Sequence, residues 1–408
     1  MNRRENMMRT LLKQKHERLP VYTVIDNFNF PQPLPGAVNI SDIVESSDEE
    51  GFRLPGQLAE LSKYYGTDTV LRLTPSVIRK TAKGGFQIRQ ELTTDGLLTR
   101  YTGKKGEMTS LAVPSNEAGT SFMTVHPVKE GGDYQILIEY FESLQYQVNE
   151  EHIRDTKEHL RLLGEEGIAY AVIPSSPVMD LTRTWVGLEN FYFDLEDYSE
   201  LVERALRVME EAYAKQCEMI AEHTPCEVLV MWDDSNSLYL SPAIFERYAL
   251  PAIKRFAEIA HRHKKILVMH TCGKFKALAE LFQQSGIDAV DWVTPPPSGD
   301  INPAELQALW KDQITMMLAC SPDVMRYGNP DGVKEHIRTM LAGVNLNGSV
   351  MVMLPPPYKT PIENLKAAVE ILTEEFGLDL NRSREYGSIF DKMKAPVWSK
   401  AKTGAAPN

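Results

Sequence analysis

Eight short apolar runs rich in β-branched residues, each followed by a longer stretch of helical periodicity, constrain this chain more than any other feature. Parallel strands cannot be joined by a tight turn, so such alternation predicts a parallel sheet with crossover helices. The runs fall at about 20–26, 68–74, 168–174, 226–233, 265–272, 287–294, 314–320 and 348–354. Eight units in roughly 380 residues fit a closed (β/α)8 TIM barrel better than an open sheet, because a barrel of ~250 residues grows readily by insertion. The expectation is an α/β protein with one barrel domain over residues 1–390 and a flexible C-terminal tail at 391–408.

Local signals agree with that frame. Ser241-Pro242 reads as an N-cap with proline in the first turn, and Thr360-Pro361-Ile362-Glu363 reads as a capping box. The helical segment 274–286 is expected to stop at Gly286. Residues 76–125 depart from the repeat. Phe86-Gln87-Ile88-Arg89, the turn candidate Asp95-Gly96 and Leu98-Thr99-Arg100-Tyr101-Thr102 predict a β-hairpin insertion after strand two. Following a strand, it belongs on the C-terminal face, where it either roofs a site or acts as a structural or oligomer-forming ribbon. The proline-bearing stretch 28–56 would lie over the same face.

Composition narrows the function. With 43% apolar residues in 408, the chain can bury a large core without disulfides. No apolar run approaches the ~20 residues that cross a bilayer, and no signal-peptide core follows the start, so a cytoplasmic location is expected. A net charge of -12, from 44 basic against 56 acidic residues, argues against a nucleic-acid surface and for a small ligand. A homo-oligomer is compatible with it. Four cysteines in so long a chain are not a disulfide framework; in a reducing compartment spaced Cys and His more often ligate metals or act in catalysis.

His270-Thr271-Cys272 closes the run Ile266-Leu267-Val268-Met269, and Cys320 closes Met316-Met317-Leu318-Ala319. These are C-terminal strand tips, where barrel enzymes keep their chemistry. Residues two apart on a strand share a side, so His270 and Cys272 can hold one metal ion, and nitrogen with sulfur suggests Zn2+. Cys320, ending the seventh strand at the same mouth, is the third candidate ligand, with a buried thiol as the alternative. Asp233 and Asp234 end the fourth strand and are the candidate catalytic carboxylates. Either a displaceable fourth ligand or an exposed hydrogen-bonding role suits them. Cys217 lies at a helical core spacing and Cys226 begins its strand at the opposite end, so both read as buried apolar residues. No other histidine has a ligand partner at a convincing spacing.

With these residues the chain resembles the uroporphyrinogen decarboxylase superfamily and, within it, the zinc-dependent, corrinoid-linked methyltransferase branch. The resemblance rests on Trp232-Asp233-Asp234 with Ser241-Pro242-Ala243-Ile244-Phe245, His270-Thr271-Cys272-Gly273, Gly286-Ile287-Asp288-Ala289-Val290, Gly328-Asn329-Pro330-Asp331-Gly332-Val333 and Thr360-Pro361-Ile362-Glu363-Asn364-Leu365. His-x-Cys-Gly after a strand is the most specific of these. Two departures stand out. Methyltransferases of that branch take a second cysteine from the tip of strand eight, where this chain has Val352-Met353-Leu354-Pro355-Pro356-Pro357. The decarboxylases have an arginine-lined pocket after strand one, where this chain has Asp26-Asn27-Phe28-Asn29-Phe30-Pro31.

The resemblance implies methyl transfer between a small methyl donor or acceptor and the cobalt of a corrinoid (cobalamin) held by a partner protein. His270, Cys272 and Cys320 would hold zinc, while Asp233 or Asp234 would orient substrate or protonate a departing oxygen. Phe28, Phe30, Trp185, Phe191, Tyr192, Phe193 and Tyr239, if they line a pocket, favour an aryl methyl ether and O-demethylation over simpler methyl donors. The competing enzyme reading is a metal-free, decarboxylase-like lyase with Asp26 or Asp233 as acid. A noncatalytic protein that only binds the corrinoid carrier is the third class.

Overall fold

The computed structural model describes residues 1–25, 66–72, 74–115, 120–354 and 360–378. Asp26, the stretch 28–56 and the tail 391–408 lie outside the described residues. Eight parallel strands close a barrel: β1 (Val21–Ile25), β2 (Asp68–Leu71), β9 (Gly167–Ile173), β10 (Val228–Trp232), β11 (Ile266–His270), β12 (Ala289–Val293), β13 (Thr315–Ala319) and β14 (Val350–Leu354). Each strand pairs in chain order with the next, and β1 closes onto β14. The expected (β/α)8 barrel is therefore the fold, and each apolar run supplies one strand, with ends that differ from those expected by up to three residues.

Alternate side chains separate two cores. Tyr22, Val70, Tyr170, Val230, Val268 and Met317 fill the barrel interior, whereas Leu71, Leu229, Leu267, Met316 and Leu318 pack outward under the helices. This is the period-two rule of a strand buried on both faces. The helix Arg3–Leu11 closes the bottom of the barrel, inserting Met7 and Leu11 into the interior cluster. Each fully buried side chain of that size contributes about 1.5–3 kcal/mol of hydrophobic stabilisation. Gly167 opens β9 where a Cβ would come within 1.9 Å of the Thr69 carbonyl oxygen, so no larger residue fits that strand crossing.

The insertion between β2 and β9 is larger than one hairpin. β4 (Gln87–Leu92), β5 (Leu97–Gly103), β6 (Gly106–Ser115) and β7 (Thr120–Val125) form a four-stranded antiparallel sheet. β3 (Ile78–Ala82) pairs separately with β8 (Leu144–Val148), carrying the excursion well past residue 125. The sheet packs on the helix Asp133–Ser143, and Tyr101 rests on Trp185, ring centroids 5.4 Å apart.

Ser241 does cap its helix, its hydroxyl accepting from the Ile244 N–H at 3.3 Å. The box at Thr360 does not form: the helix Ile362–Glu374 starts from Pro361 with no side-chain cap. Gly286 takes a left-handed φ of +80° three residues after the helix Ala279–Gln283. No described helix is long and apolar enough to cross a membrane.

Candidate metal centre

β11 ends on His270, whose parity with Ile266 and Val268 turns the ring inward at the C-terminal mouth. The strand stops there, so Cys272 is held by the following turn rather than by strand alternation. Gly273, at φ +84° with no atom within 4 Å of the place a Cβ would occupy, lets the chain reverse. The result still joins the pair, with Cys272 Sγ 3.0 Å from His270 Nε2. Asp234 lies just beyond β10 at φ +56°, its N–H donating to the His270 carbonyl at 3.0 Å. Its Oδ1 is 3.6 Å from His270 Nε2. Among the described residues, Asp234, His270 and Cys272 form the group able to hold a metal, with one donor atom of each lying within 4.8 Å of the others.

These donors suit zinc. Metal–donor lengths of about 2.0–2.3 Å in a tetrahedron imply donor separations of ~3.3–3.6 Å, and the two separations around His270 Nε2, 3.0 and 3.6 Å, bracket that value. A mixed nitrogen, sulfur and carboxylate set excludes the all-oxygen preference of magnesium and calcium. Three protein donors would leave a fourth position for substrate or water, as catalytic zinc sites do.

The far side of the histidine is fixed as well. His270 Nδ1 lies 3.2 Å from Asp291 Oδ2, and Tyr22 donates to Asp291 Oδ1 at 3.1 Å. Nδ1 also lies 3.3 Å from Arg72 Nη2; with its proton directed to the Asp291 carboxylate, Nε2, on the side of Cys272 and Asp234, can offer its lone pair to a cation. Burial alone would lower the His270 pKa, but the Cys272 sulfur and the Asp291 hydrogen bond outweigh it and raise it to about 10. Burial would likewise raise Asp291; its bond from His270 and the Arg72 charge hold it below the usual carboxylate range. Arg72 approaches Asp291 to 3.7 Å and stacks its guanidinium 4.2 Å from the Trp232 ring centre and 5.3 Å from that of Trp292.

Trp292 owes its place to a β-bulge. The β12–β13 register skips from Asp291 to Val293, and Trp292 adopts φ +73°, so two consecutive side chains face inward. A bulky residue in that conformation costs on the order of 1–3 kcal/mol, which the site evidently stores. Trp232 and Trp292 flank the His270 ring at centroid distances of 4.7 and 5.5 Å.

Two expected site residues lie elsewhere. Cys320 is fully buried in the outer core beside Met316 and Leu318, where burial pushes its thiol up to about 12. Ala319 points into the barrel and Cys320 away from it, so the structure does not bring Cys320 to the cluster. Asp233 is also fully buried, accepting from the Ser176 N–H at 2.6 Å and from the Ser235 hydroxyl. It ties the loop after β9 to the loop after β10. Cys217 and Cys226 are buried as expected. Trp185 and Phe191 are buried in packing, while Tyr192, Phe193 and Tyr239 are exposed.

Sequence reasoning missed Asp291, Arg72 and Trp292 as parts of the site. The signal for the first two was present: a charged residue within or directly after an otherwise apolar strand, in Ala289-Val290-Asp291 and Val70-Leu71-Arg72. Nothing marks a tryptophan as a bulge residue.

Comparison with known proteins gives the context. No curated protein matches the chain by sequence. Among solved structures, a methyltransferase from Methanosarcina mazei aligns with a TM-score of 0.56 and 16% identity, covering 92% of this chain and 99% of that one. A GH5-4 broad specificity endoglucanase from an uncultured bacterium aligns at a TM-score of 0.44 and 8% identity, over 90% and 95%. At such identity the first likeness is one of fold. The family model for uroporphyrinogen decarboxylase matches residues 153–375, which contain six of the eight barrel strands and all three candidate ligands. With more than half of its length matched, the chain belongs to the uroporphyrinogen decarboxylase family.

Proposed function

We propose that the chain is a methyltransferase, moving a methyl group between a small substrate and the cobalt of a corrinoid carried by a separate protein. Zinc held by Asp234, His270 and Cys272 is part of the reading. The observation that carries it is the donor cluster at the barrel mouth, with the remote nitrogen of His270 held by Asp291. The fold shared with a methyltransferase is consistent with it. Bound there, zinc would supply Lewis acidity to a substrate oxygen or favour the thiolate of a thiol substrate.

The chain's own residues do the rest. Asp291 keeps the His270 proton on Nδ1, so that Nε2 remains a donor. Arg72 and Tyr22 gather at Asp291, on the Nδ1 side of His270 and opposite Cys272 and Asp234, so substrate would approach from the Nε2 side. The two indoles flanking His270 favour a flat ring over a small alkyl donor, hence an aryl methyl ether. In that direction a reduced corrinoid would be the methyl acceptor, and the ether oxygen would keep the bonding pair and need a proton from solvent or a neighbouring acid. Asp233 cannot touch substrate, because it is fully buried with both oxygens engaged. This weakens the metal-free lyase, which needs it or Asp26 as acid.

The test combines metal analysis with turnover. The expected result is about one zinc per chain, lost in His270→Ala and Cys272→Ala, with methyl release from methoxyarenes to a reduced corrinoid protein. Simple methyl donors serve as the comparison. Full turnover by metal-free protein, or release of carbon dioxide from a carboxylated substrate, would refute the reading in favour of the lyase.

A further inference from the structure

We propose that Arg183 is a positioning residue of the metal centre, holding one oxygen of Asp234 so that the other is presented to the cation beside His270 and Cys272. The inference rests on the metal reading above. The two oxygens of Asp234 are already divided: Oδ2 accepts from Arg183 Nη1 at 2.6 Å, and Oδ1 is the oxygen 3.6 Å from His270 Nε2. Asp234 sits past the end of its strand in a left-handed conformation with 29% of its side chain exposed. Without a partner, such a carboxylate would turn freely to water.

Arg183 is itself fixed. Its Nη2 donates to Ser175 Oγ at 2.8 Å, and it projects from the π-helical turn Leu181–Trp185. The turn is anchored on Asp180, which accepts from Thr184 at 2.7 Å and from the Trp185 indole at 3.1 Å. Single π-turns are an uncommon backbone feature that recurs at functional sites. An ion pair whose members are 32% and 29% exposed contributes little to folding. Its geometry is therefore better explained by what it does to Asp234 than by stability. A guanidinium offers two donors in a rigid fork, one for Asp234 and one for Ser175, which an ammonium reproduces poorly.

Two effects oppose each other at this arginine. Its charge repels a bound dication, whereas its hydrogen bond orients the ligand. Water and salt screen the first, since the pair is part-exposed. Partners that orient ligands typically change metal affinity 10–100-fold, so orientation should win.

The experiment titrates metal-free wild type, Arg183→Ala, Arg183→Lys and Asp234→Ala with Co2+ against a competing chromophoric chelator, recording the visible cobalt spectrum. Urea midpoints confirm folding. Arg183→Ala is expected to bind cobalt about 10–100-fold more weakly, with a spectrum shifted toward that of Asp234→Ala, and Arg183→Lys is expected to fall between. Unchanged or tighter binding in Arg183→Ala, with the wild-type spectrum, overturns the proposal while leaving the metal reading intact. A wild-type chain that takes up no cobalt removes both.

Discussion

Replacing Asp291 by asparagine isolates the charge behind the histidine. Asparagine keeps the shape, and its carbonyl can still accept the His270 Nδ1 proton while its amide faces the Tyr22 hydroxyl as a donor. What disappears is the negative charge that raises the basicity of Nε2 and compensates Arg72. The first loss should weaken zinc or cobalt binding about 10–100-fold, equivalent to ~1.4–2.8 kcal/mol. The second takes the Asp291 counter-charge away from a buried cation, and breaking a buried pair costs ~3–5 kcal/mol. Stacking of Arg72 on Trp232 and Trp292 returns roughly 1–2 kcal/mol of this. The metal-free variant should therefore lose about 1–4 kcal/mol in urea melts at neutral pH. The sign with pH follows from the depressed Asp291 pKa. Its contribution is fully present above the unfolded carboxyl pKa and is lost as pH falls through the folded value. Wild type and Asp291→Asn should thus converge in stability in acid. Equal metal affinities, or a stability gap that does not narrow in acid, would refute the assignment of Asp291 as the charge behind His270.

Cys320→Ala should retain full metal content and lose only about 1 kcal/mol of packing, whereas Cys272→Ala should lose the metal; equilibrium dialysis distinguishes them. Metal uptake must displace the proton on His270, whose pKa is raised to about 10. Apparent affinity should fall about tenfold per pH unit as pH is lowered through the neutral range, and calorimetry in buffers of different ionisation enthalpy should register the released proton. Gly273→Ala meets open space, so its cost is backbone strain of about 1–2 kcal/mol at positive φ, read as a lowered melting temperature. Asp233→Ala should cost about 1–3 kcal/mol by orphaning the Ser176 N–H, without changing metal stoichiometry by elemental analysis.

The barrel was legible because each strand is a short, largely apolar run bounded by polar segments, and chain-order pairing follows from the crossovers. The same property hid the orientation of Cys320. In Met316-Met317-Leu318-Ala319-Cys320 both faces are buried, so no alternation of polarity reveals which side a residue faces, and a one-residue shift in register exchanges barrel for helix layer. His270 and Cys272 were legible as a pair, although the turn at Gly273, rather than strand alternation, brings them together. Asp234 entered as a carboxylate at the mouth; its left-handed backbone is not visible in residue type, and the structure sets it beside His270 and Cys272. The pairing of Ile78–Ala82 with Leu144–Val148 joins segments about sixty residues apart across the whole four-stranded sheet, and no local turn announces it.

The turn Leu181–Trp185 is also where the insertion is fastened to the barrel. The Thr184 carbonyl lies 3.2 Å from His126 Nδ1, the Trp185 carbonyl accepts from the Val128 N–H at 2.9 Å, and the Trp185 ring meets Tyr101. A few residues therefore serve at once as hinge-pin for the outer sheet and as bearing for the carboxylate's arginine. Changes in that sheet, remote in sequence from Asp234, His270 and Cys272, therefore have a mechanical route to the proposed metal centre.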